Sequence, residues 1–143
     1  MSKITTLPTV VLRPVSTFRY DKREDGWELV ENVELSDKKL TLQFDEFLKR
    51  DESYVKGTIM MDRAKGMGSL AGQLHAERLL DQQESIPKEL RNFYFVFTGT
   101  VWCNPDGDLH VPYLYWNGVK WILIFDCLDD GFDSSNRLAR LSK

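Results

Sequence analysis

The sequence predicts an α+β fold: a curved, mostly antiparallel sheet or open barrel, with one main helix (about residues 69–82) packed on a face. Three observations predict it. The last third reads as a three-stranded meander, the middle carries one segment with helix signals, and the first third reads as short strands. With 143 residues, the chain is expected to form a single domain, 1–143.

"TVVLRPVSTFRY" (Thr9–Tyr20) is rich in β-branched and aromatic residues, and Pro14 marks an edge or a bend. "KREDG" is a polar turn. "WELVENVEL" (Trp27–Leu35) alternates as a half-buried strand does, and so does "LTLQF" (Leu40–Phe44) after the turn "LSDKK". "DEFLKRDE" is a charged turn or one helical turn, and "YVKGTIMM" (Tyr54–Met61) reads as strand again. The main helix runs from about Ser69, an N-cap residue type, to Gln82. Pro87 in "SIPKEL" suits the first position of a short helical turn.

"FYFVFTGTVWC" (Phe93–Cys103) is apolar at successive positions, the pattern of a central strand. "NPDG" turns the chain into "DLHVPYLYW", and "NG" (Asn117-Gly118) turns it into "VKWILIFDCL" (Val119–Leu128). The two turns conflict in phase. The first points Asp108 and His110 at the first strand, and the second points Leu114 and Trp116 at the third. All four are even-numbered, so the middle strand must change phase, and Pro112 marks Val111–Tyr113 as the place for a bulge. Arg137, Arg140 and Lys143 are expected in a short terminal helix, and a crossover from Met61 to Phe93 leaves room for a parallel pair.

The net charge of −3 argues against a dedicated nucleic-acid binder. No apolar run reaches the roughly 18 residues a spanning helix needs, and "MSKITTLPTVVL" is too weak for a signal peptide. A cytoplasmic protein without membrane or nucleic-acid partners is therefore expected. Cys103 and Cys127 fall on strands two apart, about 10 Å between backbones, whereas a disulfide needs Cα atoms within about 7 Å. Two free thiols are expected. Cys103, Asp106, Asp108, His110, Asp126 and Cys127 gather at one pole, followed by Asp129, Asp130 and Asp133. Their spacing fits neither a calcium loop nor a CxxC or HxxxH pair, so no metal and no cofactor is predicted. His75 on the helix is expected at the surface or satisfied by a neighbour.

Two readings of function follow. Trp102, Tyr113, Tyr115, Trp116 and Trp121 crowd one hairpin pair. Alternation puts Trp116 and Trp121 with Leu114 on one face, and Tyr113 and Tyr115 on the other beside Ile122 and Lys120. An aromatic sheet face suits a small soluble domain that binds a small molecule or a protein, a second copy of the chain included. The other reading starts at Arg63, Lys65, Gly66, Gly68 and Ser69 in "RAKGMGS". A glycine turn between a strand and a helix offers free amides to an anion. Gly66, Gly68 and Gly72 miss the dinucleotide fingerprint, which needs G-x-G-x-x-G. Arg63, Gly66 and Gly68 instead resemble the acyl-CoA loop of GNAT-type N-acetyltransferases, Arg/Gln-x-x-Gly-x-Gly/Ala. The resemblance implies an acyl-CoA-dependent N-acyltransferase, with the amides from Ala64 to Ser69 around the CoA pyrophosphate. It spans about six residues; where that family continues with another helix, this chain follows Phe93–Cys103 with a tight hairpin.

Overall fold

Alternation in the strands and two helices at 3.6-residue spacing build two layers on one curled sheet. The computed structural model describes residues 2–7, 17–35 and 40–142. Their elements are β1 (Ser2–Leu7), β2 (Glu28–Glu31), β3 (Leu40–Asp45), β4 (Tyr54–Lys56), α1 (Gly57–Met67), α2 (Gln73–Leu80), β5 (Tyr94–Val96), β6 (Val101–Cys103), β7 (Leu109–Trp116), β8 (Trp121–Cys127), β9 (Gly131–Asp133) and β10 (Asn136–Ser142). Short 3-10 turns lie at Lys22–Asp25, Gln83–Ser85 and Lys88–Leu90. The expected α+β half-barrel is present. β1, β3, β10 and β5 lie side by side; β5 and β6 follow one another along one edge of β7, β2 flanks β6, and β8 lines the other edge of β7. The β5–β10 pair is parallel, and the other pairs are antiparallel. Among the described residues, no helix is long and apolar enough to cross a membrane.

The C-terminal meander forms as the turn chemistry dictates. Gly107 and Gly118 take φ of 90° and 101°, which a side chain would resist. The second turn uses four residues: the Asn117 side chain accepts from the amides of Val119 and Lys120, and Trp121 pairs with Trp116. The third strand is thus Trp121–Cys127. The phase change is real but lies on the partner strand. β7 pairs with β8 without a slip, from His110 opposite Cys127 to Trp116 opposite Trp121. Phe93–Cys103 is instead broken: Val96 faces Tyr113 and Trp102 faces His110, so five residues bulge opposite two. Phe97 still donates to the carbonyl of Pro112 (2.9 Å), and Thr98-Gly99-Thr100 loops out.

Three expectations are corrected. Tyr54–Met61 is strand only to Lys56, and α1 begins at Gly57. Gly57, Met60, Met61 and Ala64 are its buried residues, spaced i, i+3, i+4, i+7. A Cβ on Gly57 would come within 2.5 Å of the Leu128 carbonyl oxygen, so glycine lets the helix start against that loop. The second helix is shorter than 69–82 because Ser69 (φ 55°) sits in a linker and Gly72 is the N-cap. The terminal segment is strand β10, not helix, since Leu138, Ala139 and Leu141 alternate between the two cores. Thr9–Ser16 of the first expected strand lie outside the described residues, and Phe18 is buried beside Trp102 at 5.4 Å.

The two sheet faces carry different cores. Leu42, Phe44, Phe95, Leu114, Trp121, Leu123 and Ala139 pack under α2. Phe95 stacks between Phe44 (4.0 Å) and Trp121 (5.1 Å). On the opposite face, Val96, Val101, Val111 and Leu138 pack under Met60, Met61 and Ala64 of α1. A third cluster joins Phe18, Leu35 and Leu74 to Trp102. All eight residues of α2 are buried, so its polar residues need partners. The Glu77 carboxylate accepts from the amides of Arg19 and Tyr20 (2.8 and 3.0 Å), and Gln73 donates to the Tyr20 carbonyl and accepts from the Trp102 indole.

Candidate functional site

Alternation sorts the five hairpin aromatics as the sequence suggested. Trp116 and Trp121 share the α2 face with Leu114, and Tyr113 and Tyr115 lie on the other face, Tyr115 opposite Ile122. Trp102 and Trp121 are buried core residues, whereas Tyr113, Tyr115 and Trp116 are half-buried. Trp116 is covered by the Arg91 guanidinium, 3.6 Å above its ring. The five therefore do not form one surface. The two that remain together on an open face are Tyr113 and Tyr115, and they are joined by Tyr94 from β5.

Tyr94 occupies this place because β5 alternates: Phe95 enters the α2 core, while Tyr94 and Val96 take the other face. α1 covers Val96 but not Tyr94, which is 39% exposed. The three tyrosine rings form a triangle with every pair of centroids 5.9 Å apart. At that spacing the rings pack edge-to-face or tilted on one another.

Beside this triangle lies a cleft of about 220 Å³ lined by Tyr94, Tyr113, Asp126, Asp133, Ser135 and Asn136. Asp126 reaches it from β8, where it pairs with Val111 on the same face as Tyr113. Asp133, Ser135 and Asn136 come from the β9–β10 turn. The Tyr94 amide donates to the Ser135 carbonyl (2.9 Å), which ties this turn to β5. Within the turn, the Asp133 carboxylate accepts from both the amide and the hydroxyl of Ser135 (2.9 and 2.5 Å), and the Asp133 amide donates to Asn136. These bonds hold Asp133 below the usual carboxylate range, so it is an anion at neutral pH.

Asp126 is in the opposite situation. Burial, then a hydrogen bond to Asp130 and its charge, push its carboxyl up to about 6. Burial pushes the Tyr113 hydroxyl up to about 12, assisted by the nearby Asp126 charge. Among the described residues, no basic side chain lines the cleft. Sequence reasoning named Tyr113 and placed Asp126 at the metal-ligand pole; it missed Tyr94, Ser135 and Asn136. The signal for Tyr94 was available, because "FYFVF" read with period two sets it opposite Phe93 and Phe95. Ser135 and Asn136 had none, since their place depends on the parallel β5–β10 pairing.

The glycine turn sits elsewhere and has a different character. Gly66 is inside α1, and Gly68 caps its C-terminus with its amide bonded to the Ala64 carbonyl. The expected helix start is thus a helix end, where carbonyls rather than amides are free. Arg140 occupies those carbonyls, donating to Met67 (2.7 Å) and Gly68 (2.8 Å) and pairing with Asp45 at 2.7 Å. Ser69 offers its carbonyl to Leu141. Arg63 is held by Glu52 at 2.6 Å, and Lys65 lies 3.4 Å from Glu31. The amides that the acyl-CoA resemblance requires are not assembled as a cradle.

At the other pole, His110 pairs opposite Cys127 and Trp102, and its ring lies 4.6 Å from Trp27. Cys103 and Cys127 are free thiols. Among the described residues, no group of three His, Cys, Asp or Glu is placed to hold a metal ion. His75 is buried at the start of α2, where its Nδ1 accepts from the Gly72 amide (3.0 Å). Its Nε2 is buried without a partner among the described residues, and burial pulls the imidazole down to about 4.

The fold and this cleft define a small α+β half-barrel with a tyrosine and carboxylate surface on its outer face. The chain matches no protein-family model, no curated protein and no solved structure, so the site's chemistry carries the functional reading.

Proposed function

We propose that this protein is a binding domain whose ligand seats on the outer face of the sheet, on Tyr94 and Tyr113 and against Asp126 and Asp133. One observation carries the reading. Among the described residues, α2 covers one face of the sheet and α1 covers part of the other, while the tyrosine end keeps an open cleft with fixed polar groups. Rigid aromatics beside a few placed polar atoms form the usual lining of a binding site. The cleft is small for a whole drug-sized ligand, so it takes a head group while the tyrosines carry the rest.

The test is a thermal-shift screen of nucleotides, CoA species, divalent metals, amines and common metabolites on the whole chain and on two variants. The reading expects any stabilising compound to lose its effect in Tyr113→Ala and to keep it in Lys65→Ala at the glycine turn. Hits that ignore Tyr113→Ala but vanish in Lys65→Ala overturn it.

A second copy of the chain is the second reading of the partner, and the edge of β8 favours it. Among the described residues, β8 pairs with β7 and with no strand on its other side. Antiparallel pairing of two such edges about Leu123 sets Ile122 of each copy against Ile124 of the other. Gln83 already binds the amide and carbonyl of Trp121 at this edge, so pairing would begin past it. Light scattering over a dilution series decides: a constant monomer mass removes this reading. The free thiols of Cys103 and Cys127 suit a reducing, cytoplasmic setting, which cell fractionation checks.

A further inference from the structure

The cleft's chemistry narrows the ligand class, and the inference rests on the binding-face reading above. We propose that the group entering between Tyr94, Tyr113, Asp126 and Asp133 is an organic cation, an ammonium or guanidinium head.

Charge is the first argument. Among the described residues, the cleft is lined by two carboxylates and no basic side chain, with Asp130 beside Asp126; Arg137 of the same turn is spent on the Ser134 and Asn136 carbonyls and the Phe93 ring. His110 lies beside Asp126 in the β7–β8 ladder and its charge acts on that carboxyl, but its ring packs on Trp27 and does not line the cleft. Asp133 already accepts two hydrogen bonds from Ser135, which orient it and leave further lone pairs for a donor. A cation there meets charge-assisted acceptors in a partly desolvated place.

The tyrosines are the second argument. A cation is drawn to the face of an aromatic ring within about 6 Å of its centroid. This chain already uses that contact elsewhere: the Arg91 guanidinium lies 3.6 Å above Trp116, and the Arg137 guanidinium lies 4.3 Å above Phe93. In the cleft, Tyr94 and Tyr113 have no such partner among the described residues. The triangle is too tight for a cation between the rings, so the head sits beside them, against the carboxylates.

The third argument is what the cleft disfavours. An anion would meet two carboxylates. A bare divalent ion would need several oxygens converging at about 2.3 Å, and no such group is formed among the described residues. An organic cation needs only one or two acceptors and an aromatic wall. Asp126 fits this account, because a cation can replace the proton that burial and Asp130 make it hold up to about pH 6.

NMR titration of the isotope-labelled whole chain at pH 7.5 tests the proposal. The probes are agmatine, phenethylammonium, the neutral isostere 2-phenylethanol, a blocked Gly-Arg-Gly tripeptide and magnesium chloride. Agmatine and phenethylammonium are expected to shift signals of Tyr94, Tyr113, Asp126 and Asp133. Asp126→Asn should weaken them by about tenfold, and Tyr113→Leu should do likewise. Tripeptide binding as tight as agmatine identifies a basic side chain as the source; agmatine alone identifies a small molecule. Equal binding of 2-phenylethanol and phenethylammonium overturns the cation and leaves the binding face standing. Magnesium binding at the same residues with agmatine silent also overturns it. Silence of all five probes ends the cation proposal, whereas the thermal-shift screen judges the face itself.

Discussion

Tyr94 and Phe95 are neighbours in sequence and belong to two different parts of the molecule. Phe95 is wholly buried between Phe44 and Trp121, under a helix with no exposed residue. Tyr94 faces the side where α1 stops short, and stays 39% exposed. The same sheet is thus closed on one face and part-open on the other. The difference teaches that an aromatic's meaning in this chain comes from what covers its face and not from its clustering in sequence. Trp102 and Trp121 are buried in the cores, and Tyr94 and Tyr113 line the open cleft.

The sharpest way to break this comparison is substitution at the two neighbours. Phe95→Ala removes a stacked ring from the closed face and is expected to cost about 4 kcal/mol in urea unfolding. Tyr94→Ala is expected to cost under about 1 kcal/mol, since its ring is partly hydrated already. Similar costs at the two positions would mean that the outer face is core as well.

The next effect, about 3 kcal/mol, is expected at the tie between the faces. Arg140→Met leaves the Asp45 carboxylate buried without its guanidinium and frees the carbonyls that end α1. Urea unfolding measures the loss, and Asp45→Asn in the same chain should recover part of it, because the uncompensated charge is then gone.

The closed face also has its own pH response. The folded state holds the His75 imidazole down at about 4, against 6.5 unfolded, because burial penalises the charged form. A lowered histidine means that the unfolded chain binds more protons between these values. Stability is then full above about pH 6.5 and falls as pH drops towards 4. Between pH 7 and pH 5 the loss is about 2 kcal/mol. Urea unfolding at both values checks it, and His75→Gln, which keeps an acceptor for the Gly72 amide, should flatten the slope.

How much of this was legible in the sequence depended on whether the cause was local. The meander was readable because Asn104, Gly107, Asn117 and Gly118 make turns by their own chemistry. The phase conflict was readable too, but not which strand would yield. Pro112 keeps its ladder to β8 intact, and the glycine-containing loop 98–100 gives way instead. α1 was hidden because Val55, Thr58 and Ile59 are β-formers, while the helical spacing Gly57, Met60, Met61, Ala64 lay underneath. The glycine turn was read as a helix start because the strand before it was taken to reach Met61. In the candidate site, Tyr113 was legible from alternation. Asp126 and Asp133 were placed at one pole, but Ser135 and Asn136 reach Tyr94 through the parallel pairing of β10 with β5, a long-range event that no local pattern announces.

The smallest expected effect bears most directly on function. Asp126 on the open face is raised from 3.8 to about 6, so here the folded state binds more protons than the unfolded chain. The sign is opposite to that of His75. Ionised Asp126 costs stability above about pH 6, and the cost fades as pH falls towards 4. The group is half-buried and still touches solvent, which reduces the cost to about 1 kcal/mol. Asp126→Asn should therefore be more stable than the parent by about that amount at pH 7.5 and equal to it near pH 4, in urea unfolding at both values. The same variant should lose agmatine binding by about tenfold. A carboxylate that weakens the fold at neutral pH while strengthening the cleft is one placed for a ligand. If Asp126→Asn loses stability at pH 7.5, the carboxylate supports the sheet instead, and the contrast between the closed and open faces no longer separates structure from binding.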